Sequence, residues 1–276
     1  MKDSLMLRFL YGTVLGRMML KLFVQPRLSK TAGCFLSSRL SAGLIPYYMK
    51  KWEINMKDIE IPEGGFLSFN DFFTRRKKVK FDNAKKDWLK SPCDGLMSFV
   101  KIRRNIVFDI KNTKFSLEDL LGDRKLAGKF RNGSALIFRL MPADYHRYYY
   151  GTCGRVLCHR KIQGKLHCVR PVALRTVPVF AQNTREYEVI ETKEFGTIVQ
   201  MEVGALLVGK IHNYEWLRER DAVEAGMEKG YFEFGGSTII LLFQKNAVCL
   251  YEKLYGRSND NGEIRVSAGE VIARGN

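Results

Sequence analysis

The run FEFGGSTIILLF (232–243) sets a serine, Ser237, between two glycines and a solid apolar stretch. Permissive backbone and a nucleophilic hydroxyl at the mouth of an apolar strand can mark a peptide bond set up to be broken. The plainer alternative is a hairpin that uses positive φ at Gly235 and Gly236. Three further residues could move protons: Asp94 in SPCDG, His146 in LMPADYHRYYY and His167 in GKLHCVRP. Asp94 stands in a Pro-x-Asp-Gly turn, where aspartate commonly bonds its own backbone. His146 is flanked by Asp144 and Arg147, which raises the case for a functional histidine. His167 ends an apolar stretch and reads equally well as a hydrogen-bonding core histidine. Cys153, Cys158, His159, His167 and Cys168 cluster along the chain, but their spacing matches no common zinc pattern, so no metal is expected.

Two kinds of texture must hold these residues. Residues 1–60 repeat apolar side chains at three- and four-residue steps, with breaks near Pro26 and Pro46, and predict helices. Residues 51–80 are a transition, containing the turn-like IPEGG and the basic run TRRKKVK. From Ser91 onward, short β-branched and aromatic runs are bounded by Gly, Asn and Pro: SALIFRL, RVLCHRKI, GTIVQMEVGALLVGKI, STIILLFQ. One helix interrupts them, with Ser116 as its N-cap and Glu118 and Asp119 in its first turn. The expected fold is α+β: a basic helical N-terminal region (1–60), then a mainly antiparallel β domain (61–276).

The 276 residues carry a formal charge of +17, and it is uneven. Residues 1–50 hold eight Lys/Arg against one acid, Asp3. Such a region expects an anionic partner. Its segment MLRFLYGTVLGRMMLKLFVQPRL is apolar but broken by Arg8, Arg17 and Lys21, and its charge-free run 9–16 is far short of a membrane span. Helices lying in the headgroup layer and helices packed on a core fit the pattern equally. No nucleic-acid motif with its required spacing is present, so nucleic acid is not an expected partner. The six cysteines form no C-x-x-C, and no secretory signal precedes them, which suggests reduced thiols and a peripheral place on the cytoplasmic face of a bacterial membrane. A mitochondrial membrane is the second option.

In chain order, FNDFFTRR, SPCDG, DYHR, GKLHCVRPVAL, PVFAQNTRE, VGALLVG and EKGYFEFGGST together resemble the phosphatidylserine decarboxylase family, over about residues 66–243. The GGST block is the most specific. The resemblance implies that the bond between Gly236 and Ser237 is cut by the chain itself, giving a β piece (1–236) and an α piece (237–276) that stay together. Ser237 would become an N-terminal pyruvoyl group, the covalent cofactor that forms a Schiff base with the substrate amine and accepts electrons as CO2 leaves. The implied substrate is phosphatidylserine in an anionic membrane, and the product phosphatidylethanolamine. Asp94 is implied in the self-cleavage relay and His146 in proton transfer to substrate; a homodimer is left open.

One position departs from the family pattern DYHR-x-H, whose second histidine acts as base toward the serine. Here that place is Tyr149. An unperturbed tyrosine ionises near pH ~10 and supplies little phenolate at neutrality. His146, His167 or Asp94 through water could take over the base role. The alternative is a processing-dead relative that binds anionic phospholipid without chemistry.

Overall fold

The computed structural model describes residues 5–81, 85, 87–103, 106–110, 113–169, 171–174, 176–205, 210–215, 222–234 and 237–276. The N-terminal region is helical as expected: Leu5–Gly12, Val14–Phe23, Pro26–Leu36, a 3-10 turn at Arg39–Leu44, and Ile45–Trp52. Pro26 opens its helix at a position where the missing N–H costs nothing. The first two helices pack against the core and also leave apolar side chains exposed. Leu7, Leu10, Tyr11, Leu20 and Val24 join the main hydrophobic core, while Leu5, Met6, Val14, Leu15 and Met18 are exposed. Among the described residues no helix is long and apolar enough to cross a membrane.

An eight-stranded sheet carries the rest. Its spatial order is Ala222–Val223, Gly154–Ile162, Arg185–Thr192, Gly196–Val203, Ser237–Phe243, Ser134–Leu140, Gly95–Lys101, Ile264–Val266. Every neighbouring pair is antiparallel. Ser237–Phe243 is an interior strand whose seven residues are all buried, which explains its unbroken apolar sequence. A second sheet of Ile211–Asn213, Glu228–Phe232 and Arg147–Tyr149 covers part of the large one. The fold is therefore α+β, with the helices gathered mainly at the start of the chain. The helix Leu117–Leu121 has the expected Ser116 cap, closed as a capping box with Asp119.

A separate aromatic cluster joins the helices to the sheet end. Tyr48, Phe69, Phe72 and Phe73 are buried together, with Phe66 and Phe234 packed against them. Phe234 meets Phe69 edge-on at 4.9 Å and Phe73 at 5.2 Å. This cluster pins the chain just before Ser237.

Candidate functional site

Ser237 begins its strand opposite Leu140, and Thr238 lies opposite Val203 on the other side. The residue is fully buried, and among the described residues its Oγ has no hydrogen-bond partner. A buried hydroxyl left without a partner costs about 1–3 kcal/mol and calls for a reason. Gly235 and Gly236 lie outside the described residues.

Leu96 pairs with Arg139, so the register brings Gly95 beside Leu140. A Cβ at Gly95 would sit 2.9 Å from the Arg139 carbonyl oxygen, so only glycine allows this approach. Asp94 therefore enters the same sheet end as Ser237, two strands or about 10 Å away. Both its oxygens are engaged. One accepts from the Ala268 N–H at 2.8 Å, the other from Lys77 Nζ at 2.9 Å.

Tyr149 belongs to a small cluster beside that pair, with Tyr145, Ala268, Val79 and Phe81. Its hydroxyl lies 3.1 Å from the Tyr145 hydroxyl, which also accepts from the Lys77 backbone N–H at 3.3 Å. Burial first, then the Tyr145 hydroxyl, raises the Tyr149 pKa above the usual tyrosine range. Its phenol stays protonated at any physiological pH and is no base.

His146 is completely buried and lies against Phe73, with ring centroids 4.0 Å apart. Its Nδ1 is 2.8 Å from the Asp144 carbonyl oxygen. That contact requires an Nδ1–H donor, which leaves Nε2 as a bare acceptor. Nε2 is buried and without a partner among the described residues. Burial is the main cause that lowers the pKa of His146 to about 3, opposed by the Asp144 carbonyl and aided by Arg75. The His146 carbonyl accepts from the Phe232 N–H at 3.0 Å, tying the histidine to the chain entering Ser237.

His167 sits on the other flank. Its backbone is clasped by the Asn183 side chain at 2.9 and 2.8 Å, and Asn183 also donates to the Gly204 carbonyl at 2.7 Å. Gly204 follows Val203, the partner of Thr238. The imidazole itself turns toward the N-terminal helices, 6.2 Å from the Tyr11 ring. Burial, with Lys165 adding and Gln182 opposing, lowers its pKa to about 4.

A family model for phosphatidylserine decarboxylase matches residues 69–274. The chain belongs to the phosphatidylserine decarboxylase family. It is 39% identical over 273 residues to a protein of Clostridium acetobutylicum named phosphatidylserine decarboxylase proenzyme 2, covering 98% of this chain and 92% of that one. A phosphatidylserine decarboxylase proenzyme of Ruminiclostridium cellulolyticum is also 39% identical, over 97% and 90% of the two chains. One from Clostridium botulinum is 36% identical over 96% and 91%. Membership makes this protein a carboxy-lyase, and the relatives' names mark a family of zymogens.

Residues absent from the sequence-level candidates complete the surroundings. Arg75, from the run TRRKKVK, is buried and donates to the carbonyls of Ala143 and Asp144 at 3.2 and 3.3 Å, shaping the loop that carries His146. Arg265 pairs with Asp144 from the C-terminal segment. Between the two sheets lies an ionic layer. Lys229 donates to Glu202 at 2.5 Å and to Asn213 at 3.0 Å. Tyr150 donates to Glu188 at 2.7 Å, and Asn213 to Glu186 at 3.0 Å. The alternation of REYEVIET resembles a solvated strand face, which is why sequence reading passes over Glu186 and Glu188. Among the described residues, no group of three His, Cys, Asp or Glu side chains is arranged to hold a metal ion.

Proposed function

We propose that this chain is a self-cleaving phosphatidylserine decarboxylase that converts phosphatidylserine to phosphatidylethanolamine and CO2, with Ser237 as the source of a pyruvoyl group. The observation that carries it is the buried, partnerless Ser237 Oγ, together with the equally buried and bare Nε2 of His146, whose carbonyl is bonded by Phe232 N–H in the chain leading into Ser237. In the self-cleavage, Nε2 takes the Oγ proton as Oγ bonds to the Gly236 carbonyl carbon. The C–N bond breaks with a proton returned to nitrogen, leaving an ester. Loss of the Ser237 α-proton then expels the Gly236 carboxylate, and the remaining dehydroalanine takes up water and releases ammonia. Tyr149 is held protonated and both Asp94 oxygens are occupied, so His146 fits the base role better than either. Asp94 orients the site through Lys77 and Ala268.

The residues fit a pyruvoyl group at position 237: among the described residues the Oγ that would be lost makes no bond to lose, and the position is fully buried. Such a group supplies the electron sink for decarboxylating an amine substrate. His146 would take up and return a proton at Nε2 only transiently, because burial makes Nε2 a weak base and its imidazolium a strong acid. The two pieces would stay together because Ser237–Phe243 is flanked by Gly196–Val203 and Ser134–Leu140, and Ile264–Val266 pairs with Gly95–Lys101.

Substrate would be met at a membrane surface. Leu5, Met6, Val14, Leu15 and Met18 form an exposed apolar face, with Arg8, Arg17 and Lys21 exposed beside them, as suits helices seated in the headgroup layer. Truncating residues 1–50 would also strip the core of Leu7 and Tyr11, so Leu15→Ser with Met18→Ser is the cleaner test of docking. Weaker sedimentation with phosphatidylserine vesicles is expected; unchanged sedimentation would exclude this face. The overall reading is tested by intact mass spectrometry with hydrazine trapping. Two chains are expected, the smaller beginning at residue 237 and labelled. One uncut, unlabelled chain that still binds anionic vesicles would instead establish a non-catalytic lipid binder.

A further inference from the structure

We propose that the cavity between the second helix and the 165–182 segment binds an anionic phospholipid, with phosphate at its cationic rim and acyl chain against its apolar wall. This rests on the proposed function and gives it a place where the lipid is held. The cavity encloses about 240 Å³. Tyr11, Leu20, Val24 and Val177 form the wall, Arg17, Lys21 and Lys165 the rim, and among the described residues no acidic side chain lines it. Among the described residues, none of the three cations has an ion-pair partner. Three like charges brought together without an anion are complementary to one supplied from outside.

A second observation points into the same space. His167 lines the cavity and is only 5% exposed; neither ring nitrogen makes a well-formed hydrogen bond among the described residues, and the polar side chain beside the ring is that of Gln182, which also lines the cavity. A neutral imidazole offers one N–H and one lone pair, suited to a phosphate oxygen and a hydroxyl or ammonium of the headgroup. The walls are fixed in advance. Leu166 N–H donates to the Val24 carbonyl at 3.0 Å, Cys168 N–H to the Tyr11 hydroxyl at 2.9 Å, and Lys165 N–H to the Gln182 carbonyl at 2.9 Å. A preformed site loses little binding energy to ordering. Through Asn183 and Gly204 the cavity adjoins the strand end that carries Ser237, and through the second helix it adjoins the exposed apolar face. A lipid seated here would reach from the bilayer toward the reacting end.

The test is a titration of the full chain with short-chain, soluble lipids, read from the imidazole NMR signals assigned with His167→Gln. Dihexanoyl phosphatidylserine and phosphatidylglycerol should both shift the His167 signals, and phosphatidylcholine should bind about tenfold or more weakly. Inorganic phosphate alone should leave them in place, because it lacks the apolar part. The triple variant R17Q/K21Q/K165Q should lose the anionic preference and raise KM for phosphatidylserine, and Arg17→Lys should retain both. Equal binding of choline and glycerol lipids, an equal response to inorganic phosphate, or a triple variant with unaltered affinity would each overturn the site. Self-cleavage of the unsubstituted chain is scored separately. Its absence would overturn the proposed chemistry, and the lipid titration, which needs no chemistry, would still decide for or against the cavity.

Discussion

Two buried polar regions lie close together in this protein and are built on opposite terms. In the layer between the sheets, Lys229, Glu202, Glu188, Glu186, Asn213, Tyr148 and Tyr150 bond one another. By contrast, Ser237 Oγ and Thr238 Oγ1 at the sheet end, and His146 Nε2 on the loop bonded to the incoming chain, are buried and have no partner among the described residues. Satisfied buried groups specify and rigidify a fold; unsatisfied ones are held ready, and their cost is offset by the packing around them. The first region has the character of scaffold, and the second is the one to which the proposed chemistry is assigned.

The largest effect expected from this contrast is Ser237→Ala. It should abolish chain cleavage, hydrazine labelling and CO2 release, while urea denaturation shows stability equal to or above that of the unsubstituted chain, because a partnerless hydroxyl has been removed. A cut S237A chain would show that the nucleophile lies elsewhere. Next, His146→Gln should slow self-cleavage by about 10²–10⁴-fold, the usual contribution of a positioned base. A time course of band conversion measures this, and a change below tenfold would transfer the role to another group.

The ionic layer should answer in stability rather than in rate. Lys229→Met removes the cation facing Glu202, whose carboxyl is at 0% exposure and keeps only long contacts from Asn213 at 3.4 Å and Gln200 at 3.5 Å, and should cost about 3–5 kcal/mol by chemical denaturation. Adding Glu202→Gln should recover part of that loss. A double variant as unstable as the single one would mean the pair is not a unit.

The two regions should also differ in the sign of their pH dependence. His146 titrates near 6.5 when unfolded and about 3 when folded, so the unfolded chain binds more protons between those values. Stability from this group falls as pH drops through that window, by at most about 1.4 kcal/mol per pH unit. Burial, opposed by Lys229, raises Glu202 from 4.5 to about 7. Its contribution is full below pH 4.5 and is lost as pH rises to about 7. Between 4.5 and 6.5 the slopes oppose, so Glu202→Gln should steepen the acid-side loss of thermal stability. An unchanged or flatter profile would contradict the assignment.

The smallest effect is expected at Tyr149→Phe. Losing its bond to Tyr145 should cost about 1 kcal/mol, with self-cleavage persisting. Loss of cleavage would make the phenol an obligatory participant and move the boundary between the two regions.

Much of the site is legible in the sequence. The order of short blocks marks the family, which the comparisons show, and it singles out Ser237, Asp94 and His146 as the candidates proposed for its chemistry. The helical start and β-rich remainder follow from period and from Gly, Asn and Pro punctuation. The base is not legible, since Tyr149 occupies the expected place and no local pattern says which other group is left bare. Arg75 reads as one more solvated cation in TRRKKVK until the loop carbonyls of Ala143 and Asp144 close on it.

By itself, then, the order of residues determined the kinds of groups available and the family to which the chain belongs, for these depend on neighbours along the chain. Tertiary structure decided which polar groups are paired and which are not. His146 and Glu202 owe their proton affinities to burial, and burial is conferred by strands and helices far away in sequence. The same holds for His167, whose neighbours across its cavity come from the first two helices.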